Sequence, residues 1–507
     1  MSKPDPSKNR WKSPYLYLGI ILLFAFLIRF SFLLEFRPTV FFNASLMKGM
    51  DQRTFDNWAK DIVKNPVVGN GKVFYMAPGY PYFVAGIYKM FGSSNYFAVA
   101  FIQILLDTLL CLLLFFLGKW LFNKRVGLLA AFFAAFYRPF IFYSVPLLSD
   151  SLILFLNIFT VFIIYWALKK RDYRRWILVG LAMGLAALVK PTILLFLPFL
   201  LIGLYFYPKK KFNPLLSWVI VILLTIIVIS PVTIRNYKLS GKFIPICSNG
   251  PVNYKIGNSI DSIGLFMYPK KSLAAIFSRV FWKLQGKKLS FFFNSYEWPQ
   301  NLNIYLLTKI TKTLKFPLFG FGLLVPLGIL GLFISLNKKY LLLFFFTLCN
   351  ILWVIAFFVT SRYRLPAVGC LILFAAFFID WLFLKIKERN PVPVVITVFP
   401  LLILFPFVNN WEGEKIGSAH LNNFTYLTLK NVHNDVAEDK LPLALRRTKK
   451  LVSILPNDSL GHQLLATIYF DLKEFDLAQK EAEITLRYDP EAQGAKKILS
   501  LLGGAKE

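Results

Sequence analysis

The amino-acid sequence predicts an all-α protein: a polytopic bundle of membrane helices with interfacial helices on its outer face and a C-terminal helical-repeat domain. The chain has 507 residues, of which 57% are hydrophobic, and its mean hydropathy is +0.57. Apolar runs of roughly 20 residues, the length that crosses a bilayer, recur as far as residue 410, after which the composition becomes polar. We therefore expect a membrane domain over residues 1–410 and a separate helical domain over residues 411–507.

The apolar runs give about eleven predicted spans, several of them short for a full crossing. The first run is long and lacks a small-residue cleavage site, so we interpret it as a retained span rather than a signal peptide. The runs cover residues 14–35, 96–118, 126–146, 149–168, 176–189, 192–207, 215–234, 317–336, 340–360, 365–384 and 392–410.

The net charge of +32 comes from 58 Lys and Arg against 26 Asp and Glu. In a soluble protein this charge would indicate a nucleic-acid binder, but here the basic clusters fall between the apolar runs. With eleven crossings all of them lie on the side of the basic N-terminus, which satisfies the positive-inside rule. We therefore expect a multi-pass protein of the plasma (inner) membrane with a cytoplasmic N-terminus, an extracytoplasmic C-terminal domain and no nucleic-acid partner. The clusters are Lys119, Lys124 and Arg125, then Lys169–Arg175, Lys209–Lys211, Lys338 and Lys339, and Lys385–Arg389.

Cysteine and histidine usage excludes several kinds of chemistry. Three of the four cysteines lie in predicted spans, so the sequence offers no disulfide framework and no CxxC zinc site. All three histidines follow residue 411, which excludes His-based catalysis from the membrane domain.

Three segments outside the membrane are long enough to be ordered. The outer loop 36–95 contains two half-apolar helical patterns typical of interfacial helices. The outer loop 235–316 is too long for a plain connector and is predicted to cap the outer mouth of the bundle. In the tail, Ala444 and Ala478 are 34 residues apart in sequence, as are Pro456 and Pro490, a period typical of tetratricopeptide repeats.

Two acidic residues at the outer face are candidates for catalysis. Asp51 either caps the first-loop helix locally or acts as a catalytic base. Asp150, at the outer end of the fourth predicted span, either interacts with a helix dipole or supplies a second carboxylate that positions an acceptor or holds a divalent cation. Nothing in the sequence requires a metal. Asp56 and Asp61 are predicted to solvate the first-loop helix.

Cations at the outer face run against the positive-inside bias and need an explanation. They either extend to lipid headgroups or bind the phosphate of an anionic lipid-linked donor, for which arginine is well suited. Arg362 and Arg364 are the densest pair and the first choice for phosphate. The full set of candidates is Lys72, Arg138, Lys190, Arg235, Arg362 and Arg364.

Two charged residues lie inside predicted spans. Arg29 and Asp107 would each be costly to bury alone, so we expect them to form an intramembrane pair, structural in role or part of a cavity floor. Gln103 lies one helical turn from Asp107 and is expected to join the pair.

The outer-face motifs, taken in order, resemble those of the C-type (GT-C) membrane glycosyltransferases. The resemblance is greatest to the branch that contains protein O-mannosyltransferases, aminoarabinose transferases of lipid A and related lipopolysaccharide sugar transferases. The motifs are Asp51 with Phe55 and Ala59, Ala77-Pro78-Gly79-Tyr80-Pro81, Gln103, Ser149-Asp150, Lys190-Pro191-Thr192, Arg235-Asn236-Tyr237, Asn249-Gly250, Gly257-Asn258 and Arg362-Tyr363-Arg364-Leu365-Pro366.

The resemblance implies an enzyme that moves a sugar from a polyprenyl-phosphate donor to a lipid, glycan or protein acceptor. It implies that Asp51 is the catalytic carboxylate, that Asp150 matches a second acid, and that Arg362 and Arg364 lie near the donor phosphate. Two departures are Gln52, where many relatives have a second acid, and the repeat-like tail, which is a candidate site for a protein partner. The alternatives are a flippase or transporter of lipid-linked saccharide and a membrane scaffold.

Overall fold

The computed structural model describes residues 14–410 except 48, 68, 70, 171 and 209–211, and residues 440–503 except 455. These residues form α-helices and short 3-10 helices, together with four isolated β-bridges. The all-α class and the polytopic membrane architecture predicted from the sequence are thereby confirmed. The basic cluster Lys209–Lys211 and tail residues 411–439 lie outside the described residues.

Each of the predicted apolar runs corresponds to helical structure. Within the described part of the chain, seven helices are long and apolar enough to cross a membrane: Pro14–Phe36, Tyr96–Leu121, Asp150–Leu168, Pro214–Ser240, Lys338–Ala356, Ser361–Lys387 and Pro391–Val408. The segments Pro191–Phe206 and Phe321–Ile334 are shorter apolar helices. The count of eleven spans therefore stays a prediction.

In chain order the α-helices of this domain are α1 (Pro14–Phe36), α2 (Asp51–Lys64), α3 (Gly79–Phe91), α4 (Tyr96–Leu121), α5 (Lys124–Ala135), α6 (Arg138–Tyr143), α7 (Asp150–Leu168), α8 (Arg174–Val189), α9 (Phe196–Phe206), α10 (Pro214–Ser240), α11 (Gly250–Asn258), α12 (Arg279–Phe293), α13 (Ile304–Ile310), α14 (Lys312–Lys315), α15 (Phe321–Ile334), α16 (Leu341–Ala356), α17 (Ser361–Lys387) and α18 (Pro391–Val408).

Helix α17 is largely buried and packs against α5, α7, α15 and α16. Glycines on α15 let the two backbones come close: a Cβ added to Gly331 would lie 1.9 Å from the carbonyl oxygen of Phe374. Because α17 is surrounded on several sides, its first turn is a rigid support for the residues it carries.

The third predicted span, 126–146, is broken in the structure. The chain leaves the helix after Ala135, and α6 starts at Arg138. Pro139 explains the break, because a proline inside a continuous helix has no N–H to donate to the carbonyl of Ala135 and its ring clashes there. The break leaves the backbone N–H of Arg138 without a partner in its own helix. This N–H instead donates a hydrogen bond to the carbonyl of Phe319, at 3.0 Å.

Both helices expected in the first outer loop are present, as α2 and α3. The prediction that Asp56 solvates α2 is wrong. Its carboxylate is fully buried and accepts hydrogen bonds from the hydroxyls of Tyr88 (2.7 Å) and Tyr96 (3.2 Å) and from the ammonium of Lys60 (2.6 Å). Asp56 thus connects α2 to α3 and α4 through these hydrogen bonds. The pattern of residues along α2 alone does not reveal these partners.

Arg29 and Asp107 form a fully buried ion pair between α1 and α4. The remaining guanidinium N–H groups donate to the carbonyls of Ala25 (2.9 Å), Ala134 (3.1 Å) and Ala135 (2.9 Å). Gln103 does not join this pair. Its amide nitrogen instead donates to the carbonyls of Ser144 and Pro146, and its amide oxygen accepts from the Tyr80 hydroxyl at 2.6 Å.

The described part of the tail consists of four helices, α19 (Leu441–Ile454), α20 (Ser459–Asp471), α21 (Phe475–Tyr488) and α22 (Gln493–Gly503). Ala466, Ala478 and Ala482 are fully buried where successive helices meet. Small residues at these contacts are compatible with the predicted repeat, whose assignment as tetratricopeptide stays a prediction.

The second outer loop contains α11, α12, α13 and α14, and α11 is fixed against the end of α16 by two contacts. A Cβ added to Gly257 would lie 1.7 Å from the carbonyl oxygen of Phe357. The buried ammonium of Lys288 donates to the carbonyls of Gly257 (3.2 Å) and Phe357 (3.1 Å) and to the side-chain oxygen of Asn258 (2.9 Å). Burial lowers the pKa of Lys288 to about 7.

Gly257→Ala is expected to destabilise the protein by about 1–3 kcal/mol, because the added methyl group forces α11 away from Phe357. The measurement is the midpoint of denaturant unfolding of the purified protein in detergent. Gly286→Ala on α12 is the matched control, since no atom lies within 4 Å of an added Cβ there. Equal midpoints for the two variants would contradict this account of the cap.

Candidate active site

Two carboxylates and one guanidinium meet where three helices begin. The Nε of Arg362 donates to Asp150 Oδ1 at 2.9 Å, and its Nη1 donates to Asp51 Oδ2 at 2.7 Å. Side-chain exposure is 4% for Arg362, 1% for Asp150 and 27% for Asp51. The structure therefore brings together three of the residues predicted from the sequence, and of the two acids Asp51 is the accessible one.

The positions of the three groups follow from local structure. Asp51 is the first residue of α2, Asp150 the first of α7, and Arg362 the second of α17. Acidic residues are favourable in a first helical turn, where backbone N–H groups are unsatisfied and the helix dipole is positive. The start of α17 is held by Ser361, whose N–H and hydroxyl both donate to the carbonyl of Trp298 at 3.0 Å.

Asn301 is a second partner of Asp51 that the sequence analysis missed. Its side-chain amide donates to Asp51 Oδ2 at 2.8 Å, and its amide oxygen accepts from the Asp51 backbone N–H at 3.3 Å. Asn301 has a φ of 65°, a left-handed conformation that asparagine adopts more readily than most residues. Asparagine in a long loop is a weak signal, so sequence alone gives no means of finding it.

A cavity of about 400 Å³ lies beside Asp51, and we call it the Asp51 cavity. Asp51, Lys190 and Arg362 are its charged residues, and most of the remaining wall is apolar or aromatic. A cavity of this character suits a ligand with a small anionic group attached to an apolar chain. The rest of the lining consists of Phe55, Met76, Ala77, Ser149, Ile153, Val189, Pro191, Thr192, Leu194, Pro245, Ile246, Cys247, Asn249, Gly250, Asn253, Trp353, Phe357, Phe358 and Tyr363.

Lys190 lies in the turn between α8 and the 3-10 helix Pro191–Leu195. Its Nζ is 3.3 Å from the ring centroid of Tyr363 and 4.3 Å from that of Trp353. Burial and the neighbouring charge of Arg362 hold the pKa of Lys190 well below its ordinary value. Among the described residues its ammonium has aromatic faces as neighbours and no hydrogen-bond or ion-pair partner, so it is available to an anion.

Each of the two carboxylates has one oxygen that takes no part in the contacts with Arg362 and Asn301. Asp150 Oδ2 is buried and has no hydrogen-bond partner among the described residues. Asp51 uses Oδ2 for both Arg362 and Asn301, which leaves Oδ1 for a group in the cavity. A carboxylate oriented by a guanidinium and an amide, with one oxygen remaining, can accept a proton from an incoming hydroxyl or amine.

The donor set does not fit the divalent cation considered for Asp150. Within the described ranges no group of three or more His, Cys, Asp or Glu side chains is placed to hold a metal ion. Asp51 and Asp150 each direct an oxygen to Arg362, whose guanidinium supplies the positive charge that a shared cation would supply.

The other predicted phosphate ligands lie outside the Asp51 cavity. Arg364 is buried and donates to the carbonyls of Phe292, Asn294 and Tyr296 and to Glu297 Oε2, so it holds the segment 292–297. Arg235 donates to the carbonyls of Val67 and Lys72 and packs on Phe74, which fixes the first outer loop. The side chain of Lys72 is exposed. Arg138 lines a different cavity, together with Glu297.

Part of the chain matches a known protein family. Residues 76–234 match the family model of the dolichyl-phosphate-mannose-protein mannosyltransferases. The resemblance to C-type membrane glycosyltransferases that the motifs predict is therefore confirmed. No curated protein matches the chain at a significant level.

Solved structures with a similar overall arrangement are distant in sequence. ArnT from Cupriavidus metallidurans bound to undecaprenyl phosphate is 11% identical with a TM-score of 0.49, and the match covers 98% of this chain and 77% of that one. The Archaeoglobus fulgidus oligosaccharyltransferase tethered with an acceptor peptide is 14% identical with a TM-score of 0.44, covering 78% of this chain and 55% of that one. The chain thus spans about half the length of the oligosaccharyltransferase.

Arg362→Met is expected to lower the free energy of unfolding by about 3–5 kcal/mol, because it leaves Asp150 buried without its counter-ion. The measurement is the unfolding midpoint in detergent. The double variant Arg362→Met with Asp150→Asn should recover part of the loss, since the uncompensated charge is gone. Asp51→Asn, at the more exposed carboxylate, should change the midpoint little. No recovery in the double variant would show that Arg362 acts on stability by another route.

Proposed function

We propose that this protein transfers a sugar from a polyprenyl-phosphate donor to an acceptor on the extracytoplasmic face of the membrane. The observation that carries the proposal is the arrangement of Asp51, Arg362 and Lys190 around one apolar-walled cavity. The match of residues 76–234 to a family named for a polyprenyl-phosphate sugar donor supports the same class of donor. The sugar and the acceptor, whether lipid, glycan or protein, are left open by these observations.

In this proposal Asp51 is the catalytic carboxylate. Its Oδ1 accepts the proton of the acceptor hydroxyl or amine while that group attacks the anomeric carbon of the donor sugar. Arg362 and Asn301 hold the carboxylate so that the same oxygen always faces the cavity, which reduces the entropy lost in reaching the reactive geometry. Asp150 is the buried counter-ion that fixes Arg362.

The leaving group is the polyprenyl phosphate, an anion that gains charge as the bond to the sugar breaks. Lys190 is placed to stabilise that charge, since its ammonium lies in the cavity wall among aromatic rings. Arg362 lies in the same cavity wall, where its guanidinium offsets the negative charge of Asp51 and Asp150. Lipid phosphate is a competent leaving group, so positioning and charge stabilisation are sufficient for the reaction.

Asp51→Asn is expected to lower the rate of sugar transfer by about 10²–10⁴-fold, because the amide keeps the shape but accepts no proton. The assay incubates purified protein with radiolabelled polyprenyl-phosphate sugars and follows cleavage of the sugar and movement of the intact lipid. Asp61→Asn, on the same helix, is the matched control. Unchanged transfer by Asp51→Asn would exclude Asp51 from catalysis. Movement of the lipid without cleavage would favour the flippase, and neither activity would favour the scaffold.

Binding of the donor phosphate should depend on pH through Lys190. Its pKa in the free protein is lowered, so an anion that restores the charged form binds together with a proton. Affinity should therefore fall as the pH rises above that pKa, and the fall should end where the ammonium of the complex deprotonates. Titration calorimetry with undecaprenyl phosphate from about pH 7.5 to about pH 9 avoids ionisation of the phosphate itself near pH 6.

Lys190→Arg is the control for this pH dependence, because a guanidinium stays charged throughout the range. It should bind undecaprenyl phosphate with a flat pH profile, whereas Lys190→Met should bind more weakly at every pH. A wild-type profile as flat as that of Lys190→Arg would exclude Lys190 as the titrating phosphate ligand.

A further inference from the structure

A second cavity, of about 310 Å³, lies at the end of the bundle that the sequence predicts to be extracytoplasmic, and we call it the Arg138 cavity. Its walls come from the start of α6, the loop before α13, α13 itself, the start of α15 and the end of α18. It shares no lining residue with the Asp51 cavity. Its lining includes Arg138, Glu297, Thr308, Leu323 and Phe405.

Glu297 supplies this cavity with an unpartnered acceptor. Its side chain is nearly buried, with the whole residue 8% exposed, and Oε2 accepts from Arg364 Nη2 at 2.7 Å. Oε1 is buried and has no hydrogen-bond partner in the described part of the chain. A buried carboxylate oxygen without a donor is costly, so its place in the wall of a cavity indicates a ligand that brings a hydroxyl or ammonium donor.

Arg138 supplies the opposite requirement. Its Nε is buried, and across the described ranges its guanidinium has no hydrogen-bond or ion-pair partner. Glu297 is already neutralised by Arg364, so Arg138 leaves the cavity with a net positive charge. The group that fits is therefore an anion, and guanidinium binds phosphate particularly well.

The cavity opens towards lipid. Leu323 is 43% exposed and Phe405 is 46% exposed, and α18 presents exposed apolar side chains along most of its length. In a membrane such side chains lie against acyl chains, and Phe405 is in the last turn of its helix, where headgroups begin. The occupant therefore enters from the bilayer rather than from the aqueous phase.

We propose that the Arg138 cavity binds the headgroup of an anionic phospholipid that carries free hydroxyl groups, of which phosphatidylglycerol is the simplest probe. The phosphate pairs with Arg138, a headgroup hydroxyl donates to Glu297 Oε1, and the acyl chains lie along Leu323 and Phe405. This proposal rests on the second cavity alone and does not depend on the sugar-transfer activity proposed for the first.

The test is retention of phosphatidylglycerol by the purified full-length protein, measured by native mass spectrometry over a lipid titration. Wild-type protein should retain phosphatidylglycerol in preference to phosphatidylcholine, whose headgroup has no hydroxyl donor and no net charge. Arg138→Gln should weaken retention about tenfold, the loss expected for one charge-assisted hydrogen bond. Lys309→Gln, an exposed position on α13 outside the lining, should leave it unchanged.

A second variant tests the cavity without removing a charge. Thr308→Phe places a ring in the space and should also weaken phosphatidylglycerol retention. Equal retention of the two lipids, or full retention by both Arg138→Gln and Thr308→Phe, would overturn the proposal. Glycerol 3-phosphate, the soluble headgroup alone, should not compete, and efficient competition would overturn the assignment to a membrane lipid. Asp51→Asn should retain phosphatidylglycerol like wild type, which separates this result from any failure of the sugar-transfer proposal.

Discussion

The guanidinium of Arg362 connects three parts of the chain that are remote in sequence. It binds the first residue of α2 and the first residue of α7 from the first turn of α17, a largely buried helix of the bundle. Asp150 alone would be a buried charge, and Arg362 alone would be worse in an apolar bundle. Together they form a fixed base on which the more exposed Asp51 is oriented, so that the geometry of the Asp51 cavity depends on this one group.

Arg362 and Arg364 show how a helix divides the roles of neighbouring residues. At about 100° per residue, side chains two positions apart point to nearly opposite sides. Arg362 therefore faces the Asp51 cavity, and Arg364 faces the segment 292–297, where backbone carbonyls and Glu297 occupy it. Glu297 in turn lines the Arg138 cavity, so the first turn of α17 contacts the walls of both cavities through two residues.

The sequence predicts the parts of this structure that depend on local pattern. Apolar length gives the membrane helices, and charged residues on the predicted outer face give Asp51, Asp150, Lys190 and Arg362 as candidates. The sequence does not show that Arg362 binds both acids, because Asp51 is 311 residues away in the chain and Asp150 is 212 residues away. The prediction that Asp56 faces solvent fails for a similar reason, since the tyrosines that bind its carboxylate come from α3 and α4.

The pair formed by Arg29 and Asp107 has a consequence for how the chain is made. Arg29 is synthesised before Asp107, which follows 78 residues later in the chain. Until α4 is synthesised, the guanidinium has no counter-ion, and an unpaired arginine in a helix centre costs about 2.5–3.5 kcal/mol on the insertion scale. The many apolar side chains of α1 outweigh that cost, so α1 can insert before its partner is made. The arrival of α4 then removes the cost by giving the guanidinium its counter-ion.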